Sequence, residues 1–306
     1  MQEVPVIPST KLRFAAHILM FDCSQFILRT IDNCAPFVEK VYIAYSELPW
    51  TYNSNARNLY TNTTSKNIIN NSPHFHMIEL IEGVWANEED QRNACLERAK
   101  ADGFDYLIIQ DADEFYTDEA YKINLEQIAK NSADVYTNPW YVFWKSTEFI
   151  LESKDGELTS INPGFAIDCK SDVKFNSCRT TTSNNIYHLS GVAHHLAYAL
   201  TDEQILRKIS TWGHSQQFNR NSWYYRKWLR WNETTRNLHP VNPIYWRRAI
   251  RFDGELPKCL EGLIIPKYRT VSLSFLDISW DRFEDLKNIF ISKLKSLKAK
   301  ILVNSQ

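Results

Sequence analysis

Glycine is scarce in this chain, at 8 of 306 residues, and no glycine-rich turn follows any strand-like run. That argues against a nicotinamide enzyme and against a P-loop nucleotidase, which both cradle phosphate on glycine-rich backbone. An excess of one charge is missing too. Lys and Arg number 35 against 36 Asp and Glu, a net charge of −1, so no bulk electrostatic case exists for a nucleic-acid partner. No stretch approaches the roughly 20 apolar residues needed to span a bilayer. Met1 to Thr10 holds Pro5 and Pro8 and no apolar core, so no signal peptide is expected. The six cysteines, Cys23, Cys34, Cys95, Cys169, Cys178 and Cys259, form no close Cys-x-x-Cys pair. Scattered among apolar or helical neighbours, they are expected as buried thiols of a reducing compartment. Together these absences place the protein in the cytoplasm, where the Asn62-Thr63-Thr64 and Asn232-Glu233-Thr234 acceptor patterns carry no meaning.

Aromatic side chains are abundant, at 13% with 10 Trp and 15 Tyr. Such a load serves either a large core or stacking platforms for sugars and bases. The length suits one large α/β domain with an appendage. We expect a main domain over 1–255 and a C-terminal extension over 256–306.

The first half alternates strands and helices. Phe14–Met20, Lys40–Tyr45, His76–Ile81 and Tyr106–Ile109 read as buried strands. Ser24 is expected to cap a helix running to about Asn33, and Asn87 to cap one over Glu88–Asp102 that Gly103 ends. This alternation implies an α/β fold with a mostly parallel sheet flanked by helices. Further on, a short helix is expected over Leu125–Asn131, strands on either side of Pro139, and helices over Asp202–Trp212 and Trp223–Trp231. Thr180–Asn185 reads as a loop. The tail, Phe283–Leu302, reads as an amphipathic helix. Leu286, Ile289, Phe290, Leu294 and Leu297 share one side, and Lys287, Lys293, Lys295, Lys298 and Lys300 the polar face. Such faces are mostly solvated, with peripheral contact to the inner face of a membrane as the second reading.

The most informative segment is Tyr106-Leu107-Ile108-Ile109-Gln110-Asp111-Ala112-Asp113-Glu114. A buried strand runs directly into Asp-x-Asp where it would leave its sheet, and open α/β sheets bind ligands beyond the carboxyl ends of their strands. Two carboxylates there are costly to desolvate without positive charge between them. A hard divalent cation holding a diphosphate meets that need with one or two protein carboxylates.

The run Trp85-Ala86-Asn87-Glu88-Glu89-Asp90-Gln91-Arg92-Asn93, then Ala99-Lys100-Ala101-Asp102-Gly103-Phe104-Asp105-Tyr106 and Asp111-Ala112-Asp113-Glu114, resembles family 2-like glycosyltransferases of the GT-A fold. The likeness extends to His195-Leu196-Ala197-Tyr198 and the Lys-bearing stretch Asp202–Trp212-Gly213-His214. It covers about residues 10–250, densely only 85–115. It implies transfer of a sugar from a nucleotide-diphosphate sugar to a hydroxyl on a glycan, glycolipid or protein, with Mn2+ or Mg2+ as cofactor. Asp113 would coordinate the metal. Asp111 would face the ribose or hold the metal through water. His195 would be the third ligand, with His188, His194 and His214 as neighbouring alternatives. Arg92 would bind nucleotide or diphosphate, unless it merely pairs with Glu88 or Glu89 along its helix. Lys208 would contact phosphate. The loop Met20-Phe21-Asp22-Cys23 would grip base and ribose, although it lacks the commoner Asn- or Glu-rich composition. Leu48-Pro49-Trp50-Thr51-Tyr52-Asn53 looks like an insertion able to close over the site.

An inverting transferase also needs a carboxylate base, for which Asp168 and Asp172, with Glu148, are the candidates. Trp140, Trp144, Trp212 and Trp223 are candidate acceptor platforms. A metal-dependent phosphohydrolase or nuclease using Asp111 and Asp113 is the competing enzyme class. Its two-metal chemistry would draw further carboxylates from the other strand ends, which offer only Asp22, Glu47 and Glu82. A non-catalytic carbohydrate-binding protein is the third class.

Overall fold

The computed structural model describes residues 12–159, 161–213, 215–265, 268 and 271–303, apart from the side chains of 288 and 291–303. Strands β1 (Phe14–Met20) and β2 (Lys40–Tyr45) form on the expected apolar runs. Between them, helix α1 (Ile27–Cys34) starts later than expected and Ser24 does not cap it. Asp22 is left-handed at φ 51. The chain turns there, and the Phe26 and Ile27 amides both donate to the Cys23 carbonyl. After α2 (Ser54–Leu59) come β3 (Ile78–Glu82), α3 (Glu88–Ala101) and β4 (Tyr106–Ile109). Asn87 caps α3 by accepting from the Asp90 amide, and three acids fill its first turn, where the helix dipole favours them. Gly103, at φ 72, ends it.

The two-residue β5 (Glu114–Phe115) leads to α4 (Asp118–Lys130), which is longer than expected because Thr117 caps it early. Then follow β6 (Val135–Thr137), β7 (Trp140–Trp144), β8 (Ser146–Ser153), β9 (Gly164–Asp168), β10 (Phe175–Ser177), β11 (Thr180–Thr181), β12 (Ile186–His188) and β13 (Ala193–Tyr198). Helix α5 (Asp202–Thr211) carries a capping box from Thr201 and Gln204. Helix α6 (Arg220–Trp223) runs into a π-helical turn at Tyr224–Leu229. Strand β14 (Trp246–Arg251) and α7 (Phe275–Val303) complete the order. Helix α7 begins before the expected Phe283, while Leu294, Leu297 and Lys293, Lys295, Lys298 and Lys300 have side chains outside the described residues.

Seven strands form the main sheet in the order β12-β6-β9-β4-β1-β2-β3. The β3-β2-β1-β4 block is parallel and β9 runs antiparallel to β4, so the expected mostly parallel α/β sheet holds. The second sheet has the order β14-β8-β7-β13-β5. Strand β4 belongs to the first sheet and β5 to the second, so Gln110 to Asp113 is the chain that crosses between them. A large core packs Ile18, Ile31, Tyr116, Trp144, Trp228 and Trp231 together, and this core accounts for much of the aromatic load.

The approach to β13 depends on a close packing of backbone. The Gly191 amide donates to Asn124 Oδ1 at 2.8 Å, and its carbonyl accepts from Asn124 and Asn138. A Cβ at Gly191 would overlap the Ala120 carbonyl oxygen and the Asn124 side chain. Gly191→Ala is expected to lower stability by about 1–3 kcal/mol, the usual range for overpacking. Equilibrium unfolding in urea measures it, and a change within about 0.5 kcal/mol would show that α4 yields freely.

Candidate active site at the sheet junction

Asp111 and Asp113 sit where β4 leaves the main sheet, and opposite cations hold them. Arg92 of α3 donates from Nη2 to both Asp111 oxygens at 2.8 and 3.0 Å, and from Nε and Nη2 to Glu88 Oε1 at 2.9 and 2.7 Å. The expected helical pair with Glu88 and a contact to the Asp-x-Asp segment are thus both present. Arg92 is 1% exposed, a buried charge made tolerable by its two carboxylate partners. Arg179, which sequence reading did not single out, lies 3.5 Å from Asp111 and 2.8 Å from Glu114. It follows the left-handed Cys178, whose φ of 48 turns the chain back toward the sheet. No spacing in the sequence marks that placement.

Burial alone would raise the Asp111 carboxyl, but Arg179 and Arg92 outweigh it and hold it down at about 2. Glu114 is fully buried, and burial pushes it up to about 7 despite Arg179. Asp113 has different partners. Lys208 Nζ of α5 lies 2.8 Å from its Oδ2, and His195 Nε2 of β13 lies 3.3 Å from its Oδ1. Against the opposing effect of burial, those two groups keep the Asp113 carboxyl well below the usual range. The His195 ring packs on Trp140 with centroids 4.2 Å apart. Strand β13 supplies His195 because it pairs antiparallel with β5, setting His195 across from Glu114.

Arg92, Asp111, Asp113 and Lys208 border a cleft of about 260 Å3, and His195 and Arg179 stand behind them through their contacts with the two aspartates. One wall is the loop after β1. The Asp22 carboxylate accepts from the Thr63 amide and hydroxyl and from Arg207 Nε of α5. Asn62 fastens the same corner, accepting from the Asp22 amide at 3.0 Å and donating to the Met20 and Ser46 carbonyls at 2.9 Å each. The glycosylation-like triplet is therefore a clamp between the ends of β1 and β2. Leu48, Pro49 and Trp50 also line the cleft, with Trp50 Nε1 donating to Gln91 at 2.8 Å. The segment expected to close over the site thus lines the cleft through Leu48, Pro49 and Trp50, and its end is tied by Tyr52 to the Trp212 carbonyl and by Asn53 to Ser215.

Asp168 and Asp172 require correction. Strand β9 is antiparallel to β4 and pairs Asp168 with Tyr106, the first residue of β4. That register puts Asp168 at the edge of the sheet opposite Asp111, where its carboxylate accepts from the Lys170 amide. Asp172, four residues on, is beside the same edge. Glu148 pairs with Arg251 on the second sheet. None of the three borders the cleft. Among the described residues, the carboxylates that do are Asp22, Glu88, Asp111 and Asp113, each already paired with a cation. Trp144 and Trp223 are buried core residues, Trp140 lies under His195 and Arg179, and Trp212 borders the cleft. His188 bonds Thr137, His194 packs against Phe143, and His214 is outside the described residues.

The expected three-ligand metal group also changes. Among the described residues, no three His, Cys, Asp or Glu side chains converge to hold an ion. Asp111 is committed to two guanidinium groups. Asp113 and His195 do fit, since a carboxylate oxygen and an imidazole nitrogen lie side by side, as Mn2+ accepts. Two protein ligands suffice when phosphate oxygens and water complete the shell. The two-metal alternative loses support, because Glu47 bonds Tyr45 and Glu82 pairs with Lys66, leaving only Asp22 from the other strand ends at the cleft.

No family model matches this chain, and no curated protein does. Solved structures show a distant likeness. One is Staphylococcus aureus TarS, residues 1–349, at 13% identity and TM-score 0.40, over 71% of this chain and 79% of that one. The same fragment in complex with UDP matches at 11% identity and TM-score 0.39, over the same shares. Mannose-1-phosphate geranyltransferase from Thermus thermophilus matches at 12% and 0.31, over 53% of this chain and 51% of that one.

Helix α5, which brings Arg207 and Lys208 to the cleft, is fastened at its start. Lys145, at φ 65 between β7 and β8, is 4% exposed. Its Nζ lies 3.6 Å from the Trp228 ring centroid and 3.6 Å from Asp202. Trp228 Nε1 donates to the same Asp202 at 2.8 Å. Burial lowers the lysine from 10.5 to about 8, with Asp202 opposing only in part. Between those values the unfolded chain keeps a proton that the folded one has lost, so stability rises with pH there. The wild-type protein is expected to gain unfolding free energy relative to Lys145→Met between about pH 8 and 10. Parallel pH profiles for the two proteins would overturn this.

Proposed function

We propose that this chain is a family 2-like GT-A glycosyltransferase. It would move a sugar from a nucleotide-diphosphate sugar to a hydroxyl of a glycan, glycolipid or protein, using Mn2+ or Mg2+. The observation that carries this reading is the meeting of His195 and Lys208 on Asp113 at the carboxyl edge of β4, beside a cleft that Asp113 and Lys208 border and that α5 also faces with Arg207. A diphosphate leaving group gains negative charge as it departs, and it needs fixed positive charge around it. Lys208 and Arg207 supply that charge from successive positions of one helix. Lys208 exchanges Asp113 for a phosphate oxygen, since a lysine is a mobile point charge. Asp113 and His195 would then hold the divalent cation, which supplies Lewis-acid neutralisation when bound.

The remaining residues bind and orient. Asp22, fixed by Thr63 and Arg207, borders the cleft together with Leu48, Pro49 and Trp50, whose apolar surface would take a base. Asp111 keeps an edge toward the cleft for a ribose hydroxyl, while Arg92 and Arg179 hold it ionised and immobile. In this reading Arg92 acts on nucleotide binding through Asp111 rather than by direct contact.

A thermal-shift series with UDP and GDP, each with and without Mn2+, tests this reading. One diphosphate is expected to raise the unfolding midpoint, more so with metal. The matching sugar nucleotide should then release that diphosphate slowly when no acceptor is present. No shift with either nucleotide would end the proposal.

A further inference from the structure

Helix α7 directs its acids inward and its large apolar side chains outward. Asp277, Asp281 and Asp285 recur every four residues and so share one face. That face is ion-paired to the body. Arg230 meets Asp277 at 2.7 Å, Arg226 meets Asp281 at 2.5 Å, and Lys227 meets Asp281 and Asp285 at 2.7 and 2.8 Å. On the far side, at helical spacing, stand Leu276, Trp280, Phe283 and Phe290, which are 77, 61, 58 and 64% exposed. An ordinary surface helix has the opposite polarity. Four large side chains in one exposed row mark an interaction surface rather than scattered apolar residues.

Charge identifies the partner. From Leu286 to the last residue, Gln306, the sequence contains Lys287, Lys293, Lys295, Lys298 and Lys300 and no acidic residue. Two copies meeting in parallel along this helix would set lysine against lysine. Meeting antiparallel, they would find the Asp277–Asp285 acids already engaged with the body. No helix among the described residues is long and apolar enough to cross a membrane. A Trp- and Phe-bearing face joined to a lysine-rich end is the chemistry of a helix lying in the plane of a lipid headgroup layer.

We propose that α7 docks this chain on an anionic phospholipid surface, with Trp280, Phe283 and Phe290 entering the headgroup layer. The inference stands apart from the transferase reading, although it brings the cleft near lipid-linked acceptors. Co-sedimentation of the full chain with vesicles tests it, using phosphatidylcholine alone and phosphatidylcholine mixed with phosphatidylglycerol. The protein is expected to bind the mixed vesicles, to leave neutral ones largely free, and to release as salt is raised. The double variant Trp280→Glu with Phe283→Glu is expected to bind about tenfold or more weakly, at an unchanged thermal midpoint. The salt dependence of the unmodified chain needs no variant, so a folding defect in the double variant leaves the test intact. Equal binding by both proteins, binding by neither, or a concentration-dependent dimer that the double variant loses would each overturn the proposal.

Discussion

Asp113→Asn is expected to lower metal-stimulated release of diphosphate from the donor by roughly 10²–10³-fold, the scale seen when one fixed electrostatic partner of a transition state is removed. The substitution keeps the size of the side chain and its capacity to accept from Lys208. It removes the charge. In the present structure that charge is secure, because Lys208 at 2.8 Å and His195 at 3.3 Å outweigh burial and keep the carboxyl ionised at neutral pH. With asparagine, Lys208 loses its counter-ion in the resting state and the carboxylate donor to a divalent cation disappears. Asp168→Asn is the matched control. Its position across from Tyr106 places it at the far edge of the sheet, so the rate is expected to stay within about twofold. The comparison is a donor-hydrolysis time course with Mn2+ present. An Asp113→Asn protein retaining more than about a tenth of the rate would remove Asp113 from the chemistry.

The contrast between those two aspartates shows what sequence reading can reach. Strands β1, β2 and β4 are short runs rich in Ile, Val, Tyr and Ala, and β-propensity, burial and flanking signals agree on them. Asn87 before three acids and Gly103 after the last turn likewise bound α3 by local chemistry. Asp111 and Asp113 were legible because local order alone puts them at the end of a buried strand. Asp168 was misplaced because its location depends on the direction of β9, and antiparallel insertion into a mostly parallel sheet leaves no local mark. Arg179 went unseen for a related reason. It reaches Asp111 and Glu114 across 65 or more residues of chain, through a turn at Cys178 that sequence does not announce. The Asn62 clamp shows the same limit, since its triplet acquires meaning only when the ends of β1 and β2 are side by side. Asp113, Lys208 and His195 lie between these cases. Resemblance named all three, and the pairing of β13 with β5 and the fastening of α5 by Lys145 and Asp202 bring them together.

Arg92→Met is expected to destabilise the fold by about 3–5 kcal/mol, the usual consequence of removing one partner from a buried ion pair. Arg92 is almost wholly enclosed and satisfies Glu88 and Asp111 at once. Methionine fills most of the same space, so the loss measures charge more than volume. Asp111 would keep only Arg179, at 3.5 Å, and Arg179 is already shared with Glu114. The buried Glu114 and the partly exposed Asp111 would then compete for one guanidinium, and protons would be taken up to relieve them. The cycle Arg92→Met, Asp111→Asn and the double variant separates pairing from packing. The double variant is expected to recover part of the loss, because it removes the stranded carboxylate as well. The unfolding free energy of the single variant should also rise as pH falls from 7 toward 5, where protonation of Asp111 and Glu114 relieves the deficit. Urea unfolding at both pH values reads this directly. A loss below about 1 kcal/mol, or a loss indifferent to Asp111→Asn, would show that Arg92 is held by packing and that Asp111 does not depend on it.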